Sequence, residues 1–123
     1  MFKRDEGIRW FYLNPKMKYA VIINTKEAET VWNALRFGAA AISRDHHVTT
    51  FLMGPAVEIE SIGNEKFDVK KAWTRYLEFG GEALSCGTCL QIRQMSSNES
   101  CPVSTMDELV RLTEQADKTI VFG

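Results

Sequence analysis

Nothing in this chain approaches the roughly 20 consecutive apolar residues that a membrane-spanning helix needs. Positive charge is not in excess either: 15 Lys and Arg stand against 16 Asp and Glu, for a formal net charge of −1. Because those charges are interspersed rather than blocked, neither nucleic acid nor an anionic membrane surface is an expected partner. P-loop, GxGxxG and paired-carboxylate patterns are missing, which leaves nucleotide and glycoside chemistry without support. The first residues, Met1-Phe2-Lys3-Arg4-Asp5-Glu6, lack an apolar run behind them of the length a signal peptide requires. The expected location is therefore cytoplasmic. Cysteine is scarce, with 3 residues in 123. In a reducing compartment an odd count of that size points to free thiols, catalytic groups or metal ligands, not to a disulfide framework.

What is present is enough for one domain. A chain of 123 residues buries roughly two thirds of its unfolded surface and needs no staples to hold a core. Residues 1–18 form an N-terminal arm or extra strand, with Ile8, Trp10, Phe11, Tyr12 and Leu13 clustered before Asn14-Pro15. From residue 19 onward the pattern is regular. Tyr19 to Ile23 is a continuous apolar run, as expected of a strand buried on both faces. A helix follows from Glu27 to Ser43, then a strand from Val48 to Met53 closed by Gly54-Pro55. A short helix is expected from Ala56 to Ile62. Asp68 caps a helix whose buried stripe is Val69, Ala72, Trp73, Tyr76 and Leu77, stopped by Gly80-Gly81. Glu82 to Ser85 is a short third strand that runs into Cys86-Gly87-Thr88-Cys89, the start of a helix reaching about Met95. After a polar loop, Thr105 and Glu108 have capping-box spacing for a helix with Met106, Leu109, Val110 and Leu112 as its apolar face. Lys118 to Phe122 closes the chain as a strand. Alternating strands and helices imply a mostly parallel sheet with right-handed crossovers and helices on both faces.

In an open α/β sheet, ligands collect beyond the carboxyl ends of the strands. That edge carries Asn24, Thr25 and Lys26 after the first strand, Gly54 after the second, and Cys86, Gly87, Thr88 and Cys89 after the third. His46 and His47 precede the second strand and fall at the opposite edge, which disfavours a Cys-His dyad within one chain. A thiol attacks as thiolate, and an unperturbed pKa of about 8.5 leaves little of it ionised at neutral pH. A helix N-terminus at Cys86 would favour the charged form, and Gly87 removes side-chain bulk around the sulfur. Cys89 lies one helical turn on, on the same face. Sulfur transfer, a dithiol/disulfide couple and a soft-metal site are the chemical readings of this CxxC. The metal reading is weakest, since structural zinc wants four ligands, and neither a metal nor a cofactor is expected. Lys26 could stabilise a thiolate or an anionic sulfur donor. Trp32 and Trp73 fall in helical patterns and read as core or subunit contacts.

The order and spacing of several segments resemble the DsrE/DsrF-like family, which includes the subunits of the bacterial TusBCD sulfur relay. The likeness rests on Ala20-Val21-Ile22-Ile23, Phe51-Leu52-Met53-Gly54, Phe67 to Trp73, Leu84-Ser85-Cys86 and Ala116 to Phe122. The segment from Phe67 to Trp73 is similar to its counterpart in TusD-type subunits, and Cys86 stands where that group has its active cysteine. The resemblance implies a flavodoxin-like three-layer α/β/α fold with a mostly parallel five-stranded sheet, and assembly as a homo-oligomer, trimer or hexamer. It also implies sulfane sulfur carried as a persulfide on Cys86, between sulfur donor and acceptor proteins. Cys89 has no matching cysteine in TusD-type subunits, which leaves a resolving role open. The rival readings are a CxxC dithiol oxidoreductase using Cys86 and Cys89, and a non-catalytic subunit or binding module.

Overall fold

A computed structural model describes residues 15–123 of the chain. The aromatic cluster expected in the N-terminal arm lies outside the described residues. The elements are β1 (Lys18–Ile23), α1 (Ala28–Ser43), β2 (His47–Leu52), a 3-10 stretch (Gly54–Ser61), α2 (Val69–Glu78), β3 (Glu82–Cys86), α3 (Gly87–Ile92), β4 (Val103–Ser104), α4 (Met106–Gln115) and β5 (Lys118–Phe122). The five strands form one sheet in the order β4-β3-β2-β1-β5. Every pairing is parallel, so all five strands end at the same edge.

Local signals explain most boundaries. Glu27 caps α1, its carboxylate accepting from the backbone N–H of Glu29 and Thr30. That pairing holds its carboxyl below the usual range, led by the hydrogen bond from Thr30. The Asp68 side chain accepts from Lys71 N at 3.0 Å, and the Thr105 hydroxyl from Glu108 N at 3.1 Å. The reciprocal half of that capping box is not made, because the Glu108 carboxylate binds the Ser104 hydroxyl instead. Three expectations are corrected. The segment after β2 is a 3-10 stretch beginning at Gly54 rather than a helix from Ala56. Helix α3 stops at Ile92 and is only 6 residues long. The polar loop ends in the two-residue strand β4, too short to leave a hydrophobic pattern.

Side chains alternate across the sheet. Val21, Ile23, Val48, Leu52 and Ala83 face α1, α2 and the 3-10 stretch in the larger core. On the other side, Ile22, Phe51, Leu84 and Cys86 meet Leu109 and Leu112 of α4. Met106 and Val110 do not join that face as expected; they are 53% and 51% exposed. Trp73 is buried in the larger core and Trp32 packs against it from the rim.

Buried Tyr76 ties the larger side together. Thr50 Oγ1 donates to its hydroxyl at 2.9 Å, and the hydroxyl donates to the carbonyl of Glu82. Its ring fits only because Gly38 and Gly81 lack side chains: a Cβ on Gly81 would stand 2.3 Å from Tyr76 Cζ, and one on Gly38 2.7 Å from Cε1. No helix among the described residues is long and apolar enough to cross a membrane.

Candidate functional site: the Cys86–Cys89 pair

β3 delivers two neighbouring side chains to opposite sides of the sheet. Ser85 turns toward the larger core, where its hydroxyl is 2.9 Å from Cys101 Sγ. The pairing of β3 with β4 sets this up, since Ser85 N bonds the carbonyl of Pro102 at 2.9 Å. The Ser85 hydroxyl therefore does not cap α3, which has no side-chain cap hydrogen bond. Cys101 is buried, and burial pushes its thiol up, partly offset by the bond to Ser85.

Cys86 points the other way, among Phe51 and Leu109, and is 4% exposed. Its φ of −62° and ψ of 117° are extended, so it ends the strand and serves as the N-cap residue of α3. Cys89, one turn on, is half-buried and touches both cores. The two thiols belong to one cluster, Cys89 packing against the side that holds Cys86. Gly54 N donates to Cys89 Sγ at 3.1 Å. Desolvation pushes the Cys89 thiol up, and the hydrogen bond and charge of Cys86 add to this; the Gly54 N–H and the Arg93 guanidinium oppose it.

Gly54 is held in the left-handed region at φ +56°, and a Cβ there would stand 2.3 Å from Asn24 Oδ1. Asn24, Gly54, Cys89 and Cys86 are thereby brought together at the carboxyl edge. The other expected residues are not. Thr25 Oγ1 accepts from Glu27 N at 3.1 Å and packs toward Gly123. Lys26 and Thr88 are exposed. A Cβ on Gly87 would stand 3.0 Å from Val103 Cγ2, so that glycine makes room for β4.

The cation acting on Cys89 is Arg93. Its NH1 donates to the Cys89 carbonyl at 3.1 Å and its Nε to Glu58 Oε2 at 3.2 Å. A spacing of four from Cys89 is the sequence signal that points to Arg93; Glu58 has none. His46 and His47 lie at the far edge, His46 Nδ1 accepting from Met17 N and His47 beside Glu82 at 3.3 Å. Among the described residues no group of three or more His, Cys, Asp or Glu could hold a metal ion.

This topology and the thiol at the end of its third strand accord with the match to a family model, DsrE/DsrF-like, over residues 17–122. The chain belongs to the DsrE/DsrF-like family. An uncharacterized protein of Methanopyrus kandleri, MK0008, is 28% identical over 100 residues, covering 76% of this chain and 83% of that one. Among solved structures, the ychN protein from E. coli superposes with a TM-score of 0.74 at 21% identity, covering 88% of this chain and 100% of its own. A conserved protein of unknown function from Bacteroides thetaiotaomicron, BT1422, gives 0.71 at 20% identity, covering 85% and 94%. These two likenesses establish the DsrE-type fold, an α/β architecture on a parallel sheet.

Proposed function

We propose that this protein carries sulfane sulfur as a persulfide on Cys86 and passes it to a partner protein. Membership of the DsrE/DsrF-like family supports a role of the sulfur-relay type in general. The observation that carries the finer reading is the pair of touching thiols at the carboxyl end of β3. In the loading step a thiolate of the pair attacks the outer sulfur of a donor persulfide. The donor's S–S bond breaks with its electron pair leaving on the donor thiolate, and a new S–S bond forms. An acceptor protein's thiolate reverses the exchange and regenerates the Cys86 thiolate. No net oxidation occurs, and neither metal nor cofactor takes part. Donor and acceptor are cytoplasmic proteins, and the chain works as a homo-oligomer, a trimer or hexamer.

Intact mass and peptide mapping after incubation with a sulfane-sulfur donor test this. One extra sulfur atom on Cys86, kept after the donor is removed, lost with a thiol reductant and not kept by Cys86→Ser, is the expected result. No retained sulfur on the wild type sinks it. The contact between the thiols also favours a second reading, a dithiol oxidoreductase. It requires a reversible Cys86–Cys89 disulfide and equal loss of activity in Cys86→Ser and Cys89→Ser.

A further inference from the structure

The thiol that carries the sulfur and the thiol that meets the solvent are different residues. Cys86 is 4% exposed and walled by Phe51 and Leu109, so an incoming donor cannot line up with its sulfur in the folded chain. Cys89 is half-buried, touches Cys86, and has on its own sulfur the N–H of Gly54 at 3.1 Å. That donor is built into the backbone: Gly54 holds a left-handed turn with Asn24 packed against the place a side chain would occupy. Arg93 adds positive charge on the same sulfur.

We infer that Cys89 is the exchange thiol of the site, taking sulfur from the donor and handing it to Cys86, with Gly54 N–H as the group that steadies the charged sulfur. This rests on the persulfide reading above. When the pair carries one negative charge, the contact between the two sulfurs lets the charge rest on Cys89 with the proton on Cys86. The Cys89 thiolate attacks the outer sulfur of a protonated donor persulfide, R–S–SH; the donor's S–S bond breaks, and the donor leaves as its thiolate and takes up the Cys86 proton. The Cys86 thiolate then attacks the outer sulfur of Cys89–S–SH. The Cys89–sulfur bond breaks, its electron pair stays on Cys89, and the sulfur ends on Cys86. Delivery to an acceptor runs the same steps backward. Atoms, charge and electrons balance without an external oxidant. A substrate able to use this route is small or extended at its terminal sulfur, and that sulfur is protonated when it is attacked.

Two measurements on the full chain decide it. Limiting iodoacetamide with peptide mapping is expected to label Cys89 at least 10-fold faster than Cys86. Cys89→Ser, whose hydroxyl can still accept from Gly54 and so preserves the local packing, is expected to load Cys86 at least 10-fold more slowly than wild type from an inorganic polysulfide donor. Faster labelling of Cys86, or wild-type loading by Cys89→Ser, overturns the exchange role while leaving Cys86 as the carrier. Absence of sulfur on every variant overturns the carrier reading and this inference together.

Discussion

On one side of the sheet, α1, α2 and the 3-10 stretch close over Val21, Ile23, Val48 and Leu52, and Tyr76 ties β2 to β3 through Thr50 and Glu82. On the other, α4 by itself covers Phe51 and Cys86 through Leu109 and Leu112. A helix of 10 residues is about 15 Å long and about 10 Å across, while five strands about 4.8 Å apart make a sheet roughly twice that wide. The thin side consequently leaves Val121 59% exposed and a hollow of 410 Å³ beside α4, lined by Lys18, His47 and Glu82 at the strand starts. That hollow lies at the edge opposite the thiols. The cysteines divide along the same line. Cys101 is locked beside Ser85 on the thick side, and Cys86 opens toward the thin side with Cys89 at its rim. What the contrast teaches is that the two faces of one sheet are packed to different depths, with Cys86 on the thinner one.

The largest expected effect sets the faces against each other directly. Leu35→Ala on the thick side, where Leu35 is 1% exposed, should cost about 3–4 kcal/mol through the cavity it leaves. Leu109→Ala on the thin side should cost nearer 2 kcal/mol, since α4 can settle onto the sheet. Urea unfolding of both variants measures this, and equal losses would break the comparison. Tyr76→Phe comes next. It strands the Thr50 hydroxyl and the Glu82 carbonyl, a cost of about 1–3 kcal/mol in the same assay.

A pH series sharpens the contrast with a smaller effect. Burial pushes the Cys101 thiol up, and desolvation does the same at Cys89, so the unfolded chain ionises first as pH rises past about 8.5. Above that point the folded state holds more protons, and stability falls as pH rises. The contribution is fully present below the unfolded thiol pKa. Tyr76, also pushed up chiefly by burial, extends the decline above about pH 10. Cys101→Ala should flatten the first part and Tyr76→Phe the second; a flat profile in the wild type would contradict both. The smallest effect is expected at Gly54→Ala, where the left-handed conformation costs about 1–2 kcal/mol. The alanine keeps its N–H, but its Cβ would run into Asn24 Oδ1; the shift this forces on the turn should weaken the hydrogen bond to Cys89 and slow its alkylation at neutral pH by a few-fold, read by mass spectrometry.

The strands and helices were largely legible because their signals are local. Tyr19 to Ile23 and Lys118 to Phe122 announce strands by composition, and Asp68 and Thr105 announce helix starts by what their side chains can accept. β4 was not legible, since two residues carry no period, and its place depends on pairing with β3. The apolar face of α4 was read too wide: Met106 and Val110 obey helical spacing, yet the sheet under α4 receives Leu109 and Leu112.

For the site, the residues alone determined that Cys86 and Cys89 would lie together on the carboxyl edge, because an α/β chain brings the residues after each parallel strand to that edge whatever the packing. They also separated His46 and His47 from it. Tertiary structure decided which sulfur is the more exposed, that the Gly54 N–H reaches Cys89, and that Cys101 is bound to Ser85. Those outcomes depend on burial and on contacts between residues 16 to 35 positions apart, and distance through space is what a linear pattern does not encode.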